Sequence, residues 1–284
     1  MSYNWIKPEL FSINTLLLMD TWIIEYFFGL GKTSIGHYGN NEYKYHLGII
    51  LEYYPAIKWY FIQKCPKIEN RIDELIKNVP ENLSNDIIRK SELFFLDAQD
   101  SFVVYIYPKI MEELDYIKHW KTETLTSMVD FKNKIVLDIG SGTGRLAFSV
   151  ANIAKEIYAI DPVERLREYL RQKRDNLGIK NMKISDGTIE EIPFLDNSFD
   201  IVMSGHVMGD DYDKEMDEMT RVIKNGGFIL TCIGEDDCKR ELNKDMVRLG
   251  FEHIYYKSIL GGDIYNYYKK RSERNKKQYF EYTI

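Results

Sequence analysis

A glycine-rich segment with a carboxylate beside it is the part of the chain whose residue types and spacing could do chemistry. It reads Val136-Leu-Asp-Ile-Gly-Ser-Gly-Thr-Gly-Arg-Leu-Ala147, an apolar run followed by three glycines at alternate positions. Gly140, Gly142 and Gly144 have no side chains, so the backbone can turn tightly and let a ligand lie against it. Turns of this kind bind several nucleotide-like ligands, and the glycines alone leave the ligand open.

Asp138, two residues before the first of these glycines, narrows the choice of ligand. In a dinucleotide site the strand end and the following helix N-terminus receive a pyrophosphate, which a carboxylate placed there would repel. A sulfonium cofactor that also carries an ammonium group is compatible with the carboxylate. The spacing agrees, because the dinucleotide pattern needs glycine at position 145 and this chain has Arg145.

This segment resembles the class I S-adenosylmethionine-dependent methyltransferases, in particular the broad branch that includes small-molecule and quinone-ring methylases. The resemblance covers about residues 134–270. Asp161, in IYAIDP, stands where the family has an acidic residue that accepts hydrogen bonds from both ribose hydroxyls. Asp186, in SDGTIEEIPF, matches the family's acidic residue near the adenine amino group, and Gly187 and Thr188 match the backbone at the ring edge.

Two further segments extend the resemblance. Phe199-Asp-Ile-Val-Met-Ser204 resembles the family's fourth strand, and EMTRVIKNGG, residues 218–227, resembles the helix and turn that lead to the fifth. The resemblance implies a Rossmann-like α/β fold with a mostly parallel seven-stranded sheet and a terminal antiparallel pair, and S-adenosylmethionine as cofactor. We expect no metal site. The residues that it predicts to bind the cofactor are Asp138, Gly140, Ser141, Gly142, Gly144, Asp161, Pro162, Asp186, Gly187, Thr188 and Ser204.

Two of these carboxylates also have a purely structural interpretation. Asp161 precedes Pro162, and aspartate before a proline at the first helical position is a common helix start. Asp186 precedes a glycine and could form only a turn. Capping by Asp161 can coexist with cofactor binding, so both alternatives stay open.

His206 is the candidate general base. Methyl transfer from a sulfonium mainly requires that the acceptor is held in line and water is excluded, but a hydroxyl, thiol or acidic-carbon acceptor must also lose a proton. His206 directly follows the predicted fourth strand, and open parallel sheets place their sites beyond the carboxyl ends of strands. A histidine that only shapes the pocket is the alternative. The family often has paired histidines or other polar residues shortly after this strand, whereas this loop reads Gly205-His-Val-Met-Gly-Asp-Asp-Tyr212. The departure leaves the acceptor unidentified.

The acceptor class can still be narrowed. Ser204-Gly-His-Val207 replaces the Asn or Asp, two prolines and aromatic of amino-methylating DNA enzymes. A net charge of -6 repels polyanions at long range, although the basic run over residues 269–277 could touch RNA. We therefore predict a small-molecule acceptor and disfavour nucleic acid. RNA or protein methylation, aminopropyl-type transfer and a noncatalytic scaffold role are the alternatives. Asp210, Asp211 and Asp213 could attract a cationic or metal-bound substrate, or only cap a helix.

The elements that must position these residues change in character near residue 130. The preceding part is rich in aromatics, among them Tyr38, Tyr43, Tyr45, Trp59 and Tyr107, and has helical spacing over residues 68–77 and 108–129. From Lys134 on, short apolar runs alternate with helical stretches, which is typical of a parallel sheet covered by helices. We predict a mainly helical cap that determines substrate specificity over residues 1–128, and a cofactor-binding methyltransferase domain over residues 129–284.

Composition sets the remaining expectations for this chain of 284 residues. Cys65, Cys232 and Cys238 form no metal-binding or disulfide pattern, and we expect reduced thiols. The first residues lack the features of a secretory signal, which predicts a cytoplasmic protein. The apolar window over residues 11–30 contains two acidic residues, so we predict no membrane span. The oligomeric state is left open.

Overall fold

The fold is taken from a computed structural model. It describes residues 7–30, 38–99, 102–209, 211–232, 241–257 and 263–271. The chain divides into two compact units, of which the first comprises Met1–Leu114 with Pro162–Gln172 and the second Asp115–Asp161 with Lys173–Ile284. The functional division between residues 128 and 129 stays a prediction.

The first unit is built from short helices. They are α1 (Thr21–Phe27), α2 (Asn41–Tyr53), α3 (Pro55–Lys64), α4 (Glu69–Ile76), α5 (Asn85–Ala98), α6 (Val103–Ile106) and α7 (Pro108–Met111), with single 3₁₀ segments at Pro8–Leu10, Ile13–Leu18 and Pro66–Ile68. Prolines begin α3 and α7, where their missing N–H costs nothing. The N-terminal part of α11 (Glu164–Asn176) also belongs to this unit.

Aromatic rings pack together with aliphatic side chains in the core of the first unit. The ring centroid of Phe27 lies 5.2 Å from that of Phe95 and 5.3 Å from that of Phe102, both in edge-to-face geometry. Tyr43 is buried and donates a hydrogen bond to the Phe27 carbonyl. Trp59 is 64% exposed. The aromatics named from the sequence therefore include both core and surface residues.

The second unit contains the sheet. Its strands are β1 (Ile135–Ile139), β2 (Glu156–Ile160), β3 (Met182–Ser185), β4 (Phe199–Ser204), β5 (Ile223–Cys232), β6 (Glu252–Lys257) and β7 (Asp263–Lys270). They form a seven-stranded sheet in the order β3-β2-β1-β4-β5-β7-β6. The first five strands are parallel, and β7 pairs antiparallel with both β5 and β6. The predicted Rossmann-like sheet with its terminal antiparallel pair is confirmed.

Five further helices lie wholly in the second unit: α8 (Asp115–Lys118), α9 (Glu123–Met128), α10 (Arg145–Ser149), α12 (Tyr212–Val222) and α13 (Lys244–Arg248). The helical pattern predicted over residues 108–129 is thus divided among α7, α8 and α9. Between α8 and α9, the indole N–H of Trp120 donates to Ser149 Oγ at 2.9 Å, and the nearby Thr122 and Thr124 are weak helix formers.

The register defines the two faces of the sheet. Asp138 is paired with Met203, Met203 with Leu230, and Leu230 with Tyr268, so these four side chains point to one face. We call it the Asp138 face. The opposite face carries the apolar cluster of Ile139, Val202, Ile229 and Tyr267, which packs with α12 residues such as Met219. The register also places the polar residues Ser204 and Thr231 on that opposite face, level with Ile139.

Candidate active site

The three glycines after β1 form a turn that requires glycine. The backbone φ angles of Gly140, Gly142 and Gly144 are 59°, 56° and 88°, in the left-handed region that side chains disfavour. A Cβ added to Gly140 would lie 2.3 Å from Cγ2 of Val207. The loop after β1 and the loop after β4 therefore approach each other too closely for a side chain at this position.

Hydrogen bonds within the second unit hold this turn in place. The Ser141 N–H donates to the Ile160 carbonyl at 3.0 Å, which joins the turn to the end of β2. The Ser141 hydroxyl donates to the Asp138 carbonyl at 3.0 Å, and the Gly144 N–H donates to the Ser141 carbonyl at 2.7 Å. The turn is thus shaped by the chain itself.

Asp161 joins the end of β2 to the middle glycine. Its side chain is 4% exposed, and its Oδ2 atom accepts the Gly142 N–H at 2.9 Å. A carboxylate has about four acceptor positions and can accept several hydrogen bonds at once. Helix α11 begins at Glu164, whose N–H donates to Asp20 Oδ2 at 2.6 Å. Asp161 therefore has a contact with the glycine turn that a helix cap alone would not require.

Asp138 anchors the helix that follows the turn. Its side chain is 1% exposed, and its Oδ2 atom accepts the Ala147 N–H at 3.1 Å, in the first turn of α10. Burial raises the pKa of Asp138 to about 7, although the hydrogen bond of Ser141 and the charge of Arg145 lower it in part. The negative charge that the sequence places here is therefore weaker than that of an ordinary aspartate.

The other predicted cofactor residues lie at the ends of neighbouring strands. Asp186 is exposed after β3, and a Cβ on the next residue, Gly187, would lie 3.1 Å from Ile160 Cδ1 at the end of β2. Pro162 and Thr188 are partly buried. Ser204 is fully buried at the end of β4, with its hydroxyl 3.4 Å from that of Thr231 in β5. Their binding roles stay predictions.

His206 follows β4 in a left-handed conformation with φ 59°. Its ring centroid lies 4.4 Å from that of Tyr116. Burial, and secondarily the charge of Arg145, lower the pKa of His206 to about 3. The imidazole is therefore neutral over the ordinary pH range, which is the form that can accept a proton.

Arg145 lies at the centre of the candidate site, although its sequence context did not predict a functional role for it. Its guanidinium carbon lies 5.1 Å from the ring centroid of Tyr116 and 4.6 Å from that of Trp120. Its Nη2 atom donates to the Cys232 carbonyl at the end of β5, at 2.9 Å. In the sequence, Arg145 showed only that the glycine pattern of dinucleotide sites is broken at this position. The available signal was an arginine at the start of the helix after the glycines, with two aromatics four residues apart before β1.

The acidic run before α12 has structural partners. Asp211 caps α12 by accepting the Lys214 N–H at 3.2 Å, and Asp213 pairs with Arg248 at 2.9 Å. These contacts favour the capping interpretation of the run over substrate attraction. Asp210 lies outside the described residues.

Cys65 and Cys232 are buried free thiols, whereas Cys238 is not among the described residues. Within the described residues, no three or more His, Cys, Asp or Glu side chains are grouped as metal ligands. In the same part of the chain, no helix has the length and apolar character needed to cross a bilayer.

The residues around the glycine turn fit S-adenosylmethionine. The left-handed glycines bring bare backbone to the ligand, and Asp161 supplies the carboxylate that suits a ribose diol. The buried hydroxyl of Thr143, between two of the glycines, has no partner among the described residues.

Comparison with known proteins gives matches in the same part of the chain. A family model described as "Methyltransferase domain" matches residues 130–281. A demethylmenaquinone methyltransferase of Geobacillus kaustophilus (strain HTA426) is 29% identical over 157 residues, which are 53% of this chain and 63% of that protein. An uncharacterized methyltransferase of Bacillus subtilis (strain 168) is 32% identical over 97 residues, covering 34% of this chain and 38% of that protein. The chain thus covers less than two thirds of these relatives' lengths.

Among solved structures, a SAM-dependent methyltransferase from Aquifex aeolicus aligns with a TM-score of 0.47 and 18% identity. The alignment covers 57% of this chain and 95% of that chain.

Proposed function

The chain belongs to the methyltransferase family whose domain spans residues 130–281, its cofactor is S-adenosylmethionine, and we propose that it methylates a small aromatic acceptor of quinol type. The observation that carries the acceptor class is the similarity to demethylmenaquinone methyltransferases. The aromatic rings of Tyr116, Trp120 and His206 beside β4 and β5 support it, because flat apolar rings suit a flat ring substrate.

The cofactor supplies an electrophilic methyl group on a cationic sulfur. We propose that the turn from Gly140 to Gly144 contacts its amino-acid part and that Asp161 binds its ribose hydroxyls. Asp186, Gly187 and Thr188 would then contact the adenine. These assignments follow the order in which β1, β2 and β3 lie side by side, since each strand delivers its residues to the same edge of the sheet.

We propose that His206 accepts the proton of the acceptor hydroxyl. Loss of this proton leaves a negative charge on the acceptor oxygen. The charge makes that oxygen and the adjacent ring carbon more nucleophilic. A base of this kind contributes about 100-fold or more to a rate. A His206→Asn variant that keeps cofactor affinity but loses turnover by that factor supports the role. A loss under about threefold would leave His206 as a residue that shapes the pocket.

A labelling experiment tests the proposed function. The purified full chain is incubated with methyl-labelled S-adenosylmethionine and either a panel of naphthoquinols and phenols or a metabolite extract. The masses of the products are then determined by mass spectrometry. We expect one added methyl on a quinol-type compound. Label only in RNA or protein overturns the acceptor class. A product that gains a propylamine mass when the decarboxylated sulfonium nucleoside replaces S-adenosylmethionine identifies aminopropyl-type transfer. Cofactor binding in calorimetry without any methylated product supports a noncatalytic S-adenosylmethionine-binding protein.

We also propose that residues 1–128 determine which acceptor is used. The methyltransferase domain contains all the predicted cofactor-binding motifs without this segment. The choice of acceptor must therefore depend on other residues, either in this segment or in the loops of the domain. Hydrogen exchange of the full chain, with and without cofactor and acceptor, should show slower exchange in this segment only when both are bound. Unchanged exchange throughout residues 1–128 would contradict the proposal.

A further inference from the structure

Three buried polar atoms on the Asp138 face lack hydrogen-bond partners in the described part of the chain. They are Nη1 of Arg145 and both side-chain amide atoms, Oδ1 and Nδ2, of Asn266. Buried polar groups in proteins are nearly always hydrogen-bonded, because an unpaired group forfeits its hydration without compensation. A cluster of such atoms beside a candidate active site therefore calls for a functional explanation.

Arg145 has a fixed orientation and an unused donor. Tyr116 and Trp120 hold the plane of the guanidinium, and the Cys232 carbonyl takes one amino group, Nη2. No carboxylate forms an ion pair with it among the described residues. Asp138 acts on it only through space, and the pKa of that carboxyl is itself raised by burial. A buried cation without a counter-ion is costly, so an anionic ligand would be strongly favoured beside it.

Asn266 has more unused capacity. It is completely buried in β7, and its amide can donate two hydrogen bonds and accept two. The register pairs Asn266 directly with Cys232, so both side chains point to the same face. Asn266 therefore lies across from the residue whose carbonyl holds Arg145.

The cluster lies where a parallel sheet binds its ligands. Cys232 is the last residue of β5, and Gly205 follows the last residue of β4. A Cβ on Gly205 would lie 2.2 Å from Arg145 Nη2, so the guanidinium is packed against the chain as it leaves β4. The carboxyl ends of β4 and β5 adjoin that of β1, which carries the glycine turn.

We propose that Arg145 and Asn266 form a subsite that binds a negatively charged ligand oxygen together with a neighbouring hydroxyl or carbonyl group. Arg145 Nη1 donates to the anionic oxygen, and the Asn266 amide serves the adjacent group. This inference rests on the proposed methyl transfer. The same chemistry occurs in two molecules there: the deprotonated oxygen or carboxylate of an aromatic acceptor, and the carboxylate of the cofactor.

The subsite gives His206 a partner in the reaction. An oxyanion beside Arg145 offsets the charge that opposes protonation of the imidazole, so the proton leaving the acceptor and the anion left behind stabilise each other. A neutral hydrocarbon ring would gain none of this. The oxyanion, held by Arg145, thus offsets the effect of Arg145 on the pKa of His206 and lets the buried imidazole accept a proton.

Calorimetry on Arg145→Met and Asn266→Leu tests the subsite. The probes are a hydroxynaphthoate anion and its neutral methyl ester, added to protein saturated with S-adenosylhomocysteine. S-Adenosylhomocysteine itself and methylthioadenosine, which lacks the amino-acid carboxylate, are titrated separately. Arg248→Met, which removes a surface arginine paired with Asp213, is the matched control. Unfolding by urea is measured for every variant.

The two sources of the anion give different results. If the acceptor supplies it, Arg145→Met weakens hydroxynaphthoate binding about 10- to 100-fold and leaves the ester and both nucleosides unchanged. If the cofactor supplies it, S-adenosylhomocysteine weakens by that factor and methylthioadenosine does not. Asn266→Leu changes the same probe by a smaller factor. Either pattern supports the subsite. Asn266→Leu should not reduce stability in the absence of ligand, since it removes only unpaired side-chain polar atoms. Arg145→Met also loses the bond to the Cys232 carbonyl and the contacts with Tyr116 and Trp120, so its ligand affinities, and not its stability, test the subsite.

Ligand affinities that do not depend on Arg145 would overturn the proposed subsite. If all four affinities stay within about twofold of wild type, whether or not the wild type binds hydroxynaphthoate, Arg145 only braces the structure through the Cys232 carbonyl and the neighbouring rings. Failure of the proposed function looks different, because the probes would bind in the Arg145-dependent way while no quinol gains a methyl group.

Discussion

The two ends of the candidate site differ in how their buried polar groups are satisfied. At the ends of β1 and β2, the Gly142 N–H is bound by Asp161 and the Ala147 N–H by Asp138. At the ends of β4 and β5, Arg145 and the neighbouring Asn266 in β7 keep three buried atoms without partners in the described chain. The first end is therefore held mostly by the chain's own hydrogen bonds, although the buried Thr143 hydroxyl has no partner in the described residues. The second end keeps more of its buried polar atoms for what binds there.

Gly142→Val is expected to break the first end, with the largest effect of the changes considered. The φ angle of 56° is strained for a β-branched side chain, and the added carbons would occupy the space in which we propose that the cofactor binds. We expect calorimetry to detect no binding of S-adenosylhomocysteine.

Gly178→Val is the matched control for backbone strain. Gly178 has a similar φ of 67°, with nothing within 4 Å of an added Cβ. The control should lose stability through strain, by about 1–3 kcal/mol, and keep its cofactor affinity. Equal affinity losses in both variants would show that strain, rather than ligand contact, explains the result for Gly142.

The difference between the two ends also explains what the sequence could predict. The first end depends on residues close together in the chain, from Asp138 to Asp161, whose types and spacing reveal a strand, a glycine turn and a second strand. The second end depends on Tyr116, Arg145 and Asn266, which meet only because of the strand order and the β5–β7 register. Hydrophobic periodicity predicts that β7 exists, but it does not specify which of its residues lies across from Cys232.

Asp138→Asn should change the pH dependence of stability, by up to a few kcal/mol. The folded-state pKa of Asp138, about 7, is above its ordinary value of 3.8. Its contribution to stability is therefore fully present below about pH 3.8 and is lost as the pH rises through 7. Asparagine keeps an oxygen for the Ala147 N–H but does not ionise.

The measurement is urea unfolding of both proteins between pH 4 and pH 8.5. The unfolding free energy of the variant minus that of the wild type should increase with pH across this range, by on the order of a few kcal/mol. A constant difference would mean that Asp138 is ionised throughout and that the first end is more solvated than its burial indicates.

Asp161→Ala should weaken cofactor binding by about 1.5–3 kcal/mol, because charge-assisted hydrogen bonds to the ligand and to Gly142 are lost. Calorimetry with S-adenosylhomocysteine gives the value. Asp175→Ala, which removes an exposed carboxylate paired with Arg174, should have no effect. If Asp161→Ala leaves the dissociation constant unchanged and lowers only stability, its role is confined to holding the turn and starting the helix.

The smallest expected effect is a change in the pKa of His206. It tests whether the second end excludes water and carries the positive charge that its contacts indicate. Burial is the larger cause of its lowered pKa, about 3, and Arg145 the smaller. In wild type, the His206 resonance, identified among the five histidines by its loss in His206→Asn, should not titrate between pH 8 and pH 5. In Arg145→Met the pKa of His206 should rise but stay below the ordinary 6.5, because burial remains.

Since the folded-state pKa of His206 is lowered, the stability linked to the neutral imidazole is present above pH 6.5 and is lost as the pH falls toward 3. Titration near 6.5 in wild type would mean that water and counter-ions reach the ends of β4 and β5, and the contrast with the glycine turn would then disappear.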